Sequence, residues 1–422
     1  MLRLNLPGRG NYRYYLVTIL SVTWMIIYLQ RTNIGMLLVD NRFLENMNLL
    51  GQPAQQGLLM TVFLLAYSLA NILLVSISNR LGPRRTLMWG IVVGSMILML
   101  GGWAATFAAI IAVRLLLGIT HGIQYPNLSV LVKNWFPPHE RGTANAIYAM
   151  GGCIGPALAI PLYGWLNQSW GWEYSFFVPA ALGLACVIPF FLKWVSDQPG
   201  DNSYISDKEV RYIISNQRNC PAEEDSDQRS PGISQVLKNQ SFWLLCIAYA
   251  AFNCSWWGLL TWIPQYLVQA RHFEMSGMTS YVTVAYMVAM VGVFTGGRLV
   301  DYVPRKSIVG LAALLGVALA TFGISATSSP MGAVICIVLA VGINEFVFPT
   351  VWAILQGITP GKLMAAGSGM ISGTANLVSA MTPFLMGFLI QITGSYASGL
   401  MFLVGMALLG ALSCWVLLRQ GH

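Results

Sequence analysis

Charge is what this chain has least of. Only 9% of its 422 residues are Asp, Glu, Lys or Arg, against about 25% in a soluble globular domain, while 56% are hydrophobic. That balance excludes a water-facing surface over most of the length. Polar stretches are equally scarce, and the single long one is 196–240. Cysteine is sparse: Cys153, Cys186, Cys246, Cys254, Cys336 and Cys414 fall in apolar runs and Cys220 in the polar stretch. This is the usage of small buried side chains, not of a disulfide framework. There is no P-loop, no metal-ligand spacing and no nucleophile–base pair, so an enzyme, a nucleotide-driven pump and a resident metal or cofactor are not expected. No A-x-A-type site follows the first apolar run, which reads as an uncleaved helix.

What is present is a series of apolar runs of about 20 residues, each long enough to cross a bilayer. Twelve are expected, at about 15–40, 57–78, 86–106, 108–135, 143–167, 173–195, 241–268, 278–299, 307–326, 331–356, 367–392 and 396–418. In lipid, backbone groups must be paired within the chain, so the expected class is an all-α membrane protein. The net charge of +8 points to topology and not to nucleic acid. Of 23 Lys and Arg, 19 fall in alternate loops on the side that holds both termini; Arg42 and Arg271 fall on the other, and Arg31 and Arg114 lie inside spans. The positive-inside rule then puts both termini in the cytoplasm of a plasma-membrane (bacterial inner-membrane) protein, with the lipid bilayer as its surroundings.

The chain divides at 196–240 into an N-terminal six-helix bundle (1–195) and a C-terminal one (241–422). Within the divide, Ser206-Asp207-Lys208-Glu209 is a capping box. A short helix from about 207 to 217 is expected against the membrane surface, as a tether and less as a gate or partner site, and 219–232 read as disordered. The halves repeat. Asn79–Arg85 after span 2 matches Val300–Lys306 after span 8; Gly118–His121 before Pro126 matches Gly342–Glu345 before Pro349; Pro161 and Gly164 match Pro383 and Gly387. The offset stays within 221–224. Two bundles related by a pseudo-two-fold axis place a polar cavity between them near the midplane. The G-x-x-x-G pairs Gly90–Gly94, Gly151–Gly155, Gly292–Gly296 and Gly369–Gly373 read as helix packing.

Ionisable groups inside spans are few and costly, and so they are the candidate site. Arg31 lies more than halfway along span 1 with no acid near it in that span; its guanidinium matches a carboxylate or phosphate through two parallel hydrogen bonds. Tyr28 shares its face, and Tyr67 in span 2 is either a cavity aromatic or lipid-facing. Arg114 and His121, seven apart, share a face of span 4. Arg114 either snorkels outward or serves charge balance and gating. His121 and Glu345 are the titratable groups expected to couple protons, Glu345 at the repeat position of His121. An ion pair of Glu345 with Arg31 or Arg114 is the structural alternative. Ser372 and Asn376, one turn apart in span 11, either meet substrate hydroxyls or glue helices together. Trp352 and Trp256 offer faces to a sugar-like ligand.

Twelve spans in two repeated halves with a G-x-R-R-type loop after span 2 resemble the major facilitator superfamily over essentially the whole chain. Tyr28-Leu29-Gln30-Arg31-Thr32-Asn33, Arg114-Leu115-Leu116-Leu117-Gly118 running on to Tyr125-Pro126, Asn134–Gly142 and Leu260–Leu267 resemble the anion:cation symporter family in particular. That family includes carriers of sugar acids, other organic anions and sialic acid. The resemblance implies a secondary active carrier of a small anionic molecule, coupled to protons and working by alternating access. It also implies Arg31 as the substrate anchor, Asn376 as one of the family's span 11 asparagines, and Arg80, Arg84, Arg85, Asp301 and Arg305 as a gating loop and its counterpart. The chain departs from the family at Gln30 and His121, where proton-coupled members carry acids, and at Asn79, where the gating loop carries one. Exchange or facilitated diffusion without protons therefore stays open. The related organophosphate antiporters carry an arginine in span 7, where this chain reads Asn253-Cys254-Ser255-Trp256-Trp257, which disfavours a phosphate ester. A ligand sensor that does not transport is the alternative from another class. A monomer is expected.

Overall fold

The computed structural model describes residues 11–74, 81–137, 140–218, 237–359 and 364–421. Twelve helices have the length and apolarity to cross a membrane: Tyr12–Leu37, Pro53–Leu73, Pro83–Gly101, Phe107–Trp135, Thr143–Ser169, Tyr174–Trp194, Gln240–Ala270, Met275–Tyr302, Ser307–Ala326, Pro330–Ile358, Gly367–Thr393 and Tyr396–Arg419. They are spans 1 to 12, and no strand occurs among the described residues. Prolines open spans 2, 3 and 10 at the first helical turn, where a missing N–H costs nothing. Thr106 and Ser395 cap spans 4 and 12 through their hydroxyls.

The spans form two six-helix bundles. Span 1 packs on span 5 and span 2 on span 4 in the first; span 7 packs on spans 11 and 12, and span 8 on span 10, in the second. The ends of each bundle meet: Tyr12 donates to the Trp194 carbonyl at 2.8 Å, and Ser241 to Gln420 at 2.9 Å. Both termini of the described chain therefore lie at one end of the molecule.

Spans 4 and 10 are each broken, span 4 at Ile123 between Phe107–Gly122 and Gln124–Trp135, span 10 at Glu345 and Phe346 between Pro330–Asn344 and Val347–Ile358. Pro126 and Pro349 cause the breaks, each removing one helical hydrogen bond and crowding the preceding turn. Aligning the prolines pairs His121 with Asn344, and Glu345 with Gly122. The repeat position of Glu345 is thus one residue after His121, a correction to the expected match, and one residue turns a helix face by about 100°.

At the end away from the termini the bundles are pressed together. Gln265 donates to Gln56 at 3.0 Å, Thr61 accepts from the Phe384 amide at 3.1 Å, and Thr283 donates to the Ala157 carbonyl at 3.3 Å. Two glycines make the approach feasible. A Cβ on Gly57 would lie 2.1 Å from the Pro383 carbonyl oxygen, and one on Gly387 would lie 2.2 Å from that of Pro53. Each bundle thus contributes one glycine and receives the other bundle's backbone.

The helix Asp207–Arg218 is a fixed part of the first bundle. Glu209, 3% exposed, accepts from the Tyr12 and Arg13 amides at 2.9 and 3.1 Å. Arg13 bridges Glu209 and Glu140 at 3.1 and 2.8 Å, and Tyr212 donates to Glu140 at 2.7 Å. An ion-paired dock thus holds the helix that was expected at the membrane surface. The stretch 219–232 lies outside the described residues.

The expected gating loop falls only in part within the described residues. Arg80 and Asn79 lie outside the described residues, and Arg85 is exposed. Arg84 is a clasp: its guanidinium donates to the Phe191 and Leu192 carbonyls at 3.0 and 2.8 Å. Its amide donates to Asp197 at 2.7 Å. Asp301 and Arg305 are exposed, and neither belongs to an ion pair among the described residues.

Candidate functional site

A cavity lies between the bundles, walled by spans 1, 2, 4 and 5 on one side and 7, 8, 10 and 11 on the other. Arg31, Tyr28, Tyr67, Glu345, Ser372 and Asn376 all line it. The contacts that close the far end lie beyond it, so the cavity sits between that closure and the end that holds the termini.

Arg31 is the centre of one wall. It is 1% exposed, and its Cζ lies 4.8 Å from the ring centroids of Trp24 and Tyr67 and 5.0 Å from that of Tyr28. Trp24, Tyr28 and Arg31 are spaced four and three apart, so one face of span 1 carries all three. Each such cation–π contact contributes roughly 0.5–2 kcal/mol, more as water is excluded. The rings hold the cation without neutralising it. Its Nε donates to His121 Nδ1 at 3.3 Å, while one terminal nitrogen, NH2, is buried with no hydrogen-bond partner. A buried charged donor with no partner costs several kcal/mol. Here that donor belongs to a side chain that lines the cavity.

His121 does not face the cavity, contrary to expectation. It is fully buried behind Arg31, with Nε2 3.1 Å from Gln30 Oε1. The register shift explains this: the counterpart of His121 is Asn344, which is also buried and donates back to span 7, to the Phe252 carbonyl, at 3.3 Å. Glu345, one residue further round, lines the cavity. None of the described ion pairs involves Glu345, so the alternative of a pair with Arg31 or Arg114 is not formed here.

Arg114 neither snorkels nor lines the cavity. It is fully buried inside the first bundle, donating to Asn33 at 2.6 Å, with Nε and NH1 unpartnered. The Phe63 ring stands between the two arginines, 5.9 Å from each Cζ. Trp352 is also set back. It rests edge-on against Tyr249 and Phe348, centroids 5.8 and 6.1 Å away, and those two rings occupy the wall in its place. The physical reason is position along the helix Val347–Ile358: Trp352 shares the face of Phe348 but lies one turn further on, with Phe348 and Tyr249 packed against it.

On the opposite wall Asn376 donates to Ser372 at 3.3 Å, and Asn253 lines the cavity with a buried, unpartnered amide nitrogen. Trp257 reaches across to stack on Tyr28, 6.4 Å between centroids and 4° between planes. Sequence reasoning missed Trp24, Asn253, Trp257 and Tyr125 as lining residues. The spacing of Trp24 to Arg31 and a lone amide inside span 7 were signals for two of them. The arrangement holds a planar cation, several hydroxyls and amides, stacked aromatics and one carboxyl around a space of small-ligand size.

The sequence pattern of the Major Facilitator Superfamily matches residues 16–383. Relatives over nearly the whole length include a probable galactarate/D-glucarate transporter of Escherichia coli, 25% identical over 97% of this chain and 94% of its own. A hexuronate transporter of Bacillus subtilis is 25% identical over 94% and 92%, and a D-galactonate transporter of Escherichia coli 26% identical over 96% and 95%. Two solved structures share the fold. A bacterial homologue of the human lysosomal transporter Spinster, inward-facing and unoccupied, has a TM-score of 0.74 at 19% identity, covering 98% of this chain and 99% of that one. A D-xylose–proton symporter has 0.75 at 15%, covering 96% and 98%.

Proposed function

The chain belongs to the Major Facilitator Superfamily and is a membrane transporter, and from that premise we propose that it carries a small sugar acid, coupled to protons, by alternating access between its two bundles. The observation that carries this reading is the unpartnered NH2 of Arg31 in an aromatic cage at the cavity wall. A carboxylate supplies the missing acceptor through a charge-assisted bond, and Tyr67, Ser372, Asn376 and Asn253 supply partners for hydroxyls. Sugar-acid relatives over nearly the full chain support the substrate class. Glu345 is the proposed proton site, since it lines the same cavity from the other half. With both termini cytoplasmic in a bacterial inner membrane, as the charge distribution implies, the form described here is the one closed at its outer end. One chain contains every residue of the site, in keeping with a monomer.

A proton-independent exchanger is the second reading, favoured by the amide of Gln30 and the imidazole of His121 where the family resemblance implies acids. Uptake of labelled D-galactonate and D-glucuronate into proteoliposomes separates the readings. Accumulation under an inward proton gradient supports symport. Counterflow without gradient-driven accumulation supports the exchanger. Binding with no flux at all identifies a sensor and overturns both.

A further inference from the structure

Behind Arg31 runs a chain of hydrogen bonds whose direction is forced at both ends. Arginine N–H groups can only donate, so His121 Nδ1, 3.3 Å from Arg31 Nε, is an acceptor and bears no proton. At the other end the Pro179 carbonyl can only accept. It receives Gln30 Nε2 at 3.1 Å, and Ser95 Oγ lies 2.9 Å from the same nitrogen. That fixes the amide, so Gln30 Oε1 faces His121 Nε2 at 3.1 Å, and the imidazole proton sits on Nε2. Spans 1, 3, 4 and 6 each contribute to the chain.

The space for it is built. A Cβ on Gly183 would lie 2.5 Å from both Gln30 Nε2 and Ser95 Oγ. Span 6 widens to π-helical geometry over Gly183–Val187, directly after the turn that offers the Pro179 carbonyl, and such bulges recur at functional sites. Among the described residues, the groups facing His121 contain no acid: Arg31 from span 1, Arg114 from its own span, the Phe63 ring edge-on at 5.8 Å from span 2, and Gly94 from span 3.

We propose that His121 is a positioning residue for Arg31, held in a single neutral tautomer by the Gln30–Pro179 relay, and that it carries no proton during transport. Protonating Nδ1 would set two donors face to face and add a third cation beside Arg31 and Arg114. The relay fixes the guanidinium by its Nε edge and leaves its NH2 end for the ligand at any pH in the physiological range. Proton coupling then falls to Glu345. This inference rests on the proposed transport role only for its consequence; the tautomer and the relay stand independently of any substrate.

The test has two arms for that reason. Nitrogen-15 histidine spectra of the protein in nanodiscs, with His121 assigned by its loss in His121→Asn, should show a neutral Nε2–H ring that does not titrate between pH 5 and 8. Gln30→Glu, which sets an acceptor against the Pro179 carbonyl, should make that resonance titrate. A His121 that titrates in the wild type, or carries its proton on Nδ1, overturns the proposal whatever the substrate proves to be. In the second arm, calorimetry with D-galactonate should show His121→Asn, whose amide oxygen still accepts from Arg31 Nε, weakened less than His121→Phe, which loses roughly tenfold or more. The uptake pH profile of His121→Asn should keep the wild-type shape, and a flattened profile in that variant would return His121 to the proton path. Absence of D-galactonate binding in the wild type bears on the substrate proposal alone.

Discussion

Each half of the molecule breaks a helix at a proline, and the two halves use the break differently. In the first, a residue in the last turn before the break turns inward: His121 joins Gln30, Arg31 and Ser95 in a buried polar network. In the second, its counterpart Asn344 makes one bond to its own bundle, and the next residue, Glu345, lines the cavity. Among the described residues, the first half thus builds a fixed cation with no counter-ion, and the second a lone carboxyl. A rigid, permanently charged anchor facing a group able to change charge is the division of labour that coupling requires, since proton and anion must favour shared or different conformations by a few kcal/mol.

The largest effect should come from the anchor. Arg31→Ala removes the fork and leaves the cage empty; two charge-assisted hydrogen bonds of roughly 1.5–3 kcal/mol each predict loss of D-galactonate binding by more than about 100-fold in calorimetry. Arg31→Lys keeps the charge but loses the planar fork and should still lose at least about tenfold. Near-normal affinity in the lysine variant would make Arg31 a point charge and undo the contrast between the halves. Next comes the carboxyl. Glu345→Gln should abolish accumulation driven by a proton gradient while counterflow exchange persists. A variant that still accumulates substrate against its gradient would move the proton site elsewhere.

The fold was legible because hydropathy reports spans directly; the twelve expected runs fall within about five residues of the observed helices. Arg31, Tyr28 and Tyr67 were legible because a charge or hydroxyl deep in lipid needs a polar surface. The offset between halves was legible only to a few residues, and at the broken helices a one-residue slip decides which side chain faces the cavity. That slip is why His121 was expected to face the cavity together with Glu345, which alone of the two lines it. Trp352 was misplaced for a related reason, since composition cannot show that Tyr249 and Phe348 already hold the wall. The relay was invisible because it requires knowing that spans 1, 3, 4 and 6 meet at one point.

The closure at the far end sharpens the comparison in a third way, because there the halves act alike. Gly57 and Gly387 each admit the other bundle's backbone. Alanine at either position overpacks that contact, at a cost of roughly 1–3 kcal/mol, and shifts the population about 5–150-fold towards the form open at that end. Spin labels at the exposed positions Leu50 and Ile392 should report a longer distance in Gly57→Ala and Gly387→Ala. An unchanged distance in both variants would show that the contact does not control the closure.

The smallest effect concerns the loops at the terminal end, where the asymmetry runs opposite to what sequence alone implies. The second half keeps the acid, Asp301, yet that carboxylate is exposed and joins no described ion pair. The first half has Asn79 at the matching place and takes its acid from elsewhere: Asp197, just after span 6, accepts from the Arg84 amide at 2.7 Å in the first turn of span 3. Gly82 stands against that carboxylate, since a Cβ there would lie 2.4 Å from its Oδ2. A carboxylate bonded to an amide at a helix start contributes about 1 kcal/mol, and the positive end of the helix dipole adds to it. Asp197→Asn should therefore lower the melting temperature by about 1–2 °C, and Asp197→Ala by more, because the amide N–H then loses its acceptor. Asp301→Asn should leave it unchanged. Equal shifts for Asp197→Asn and Asp301→Asn would mean that both loops are held by their acids alike and that the halves do not differ at this end.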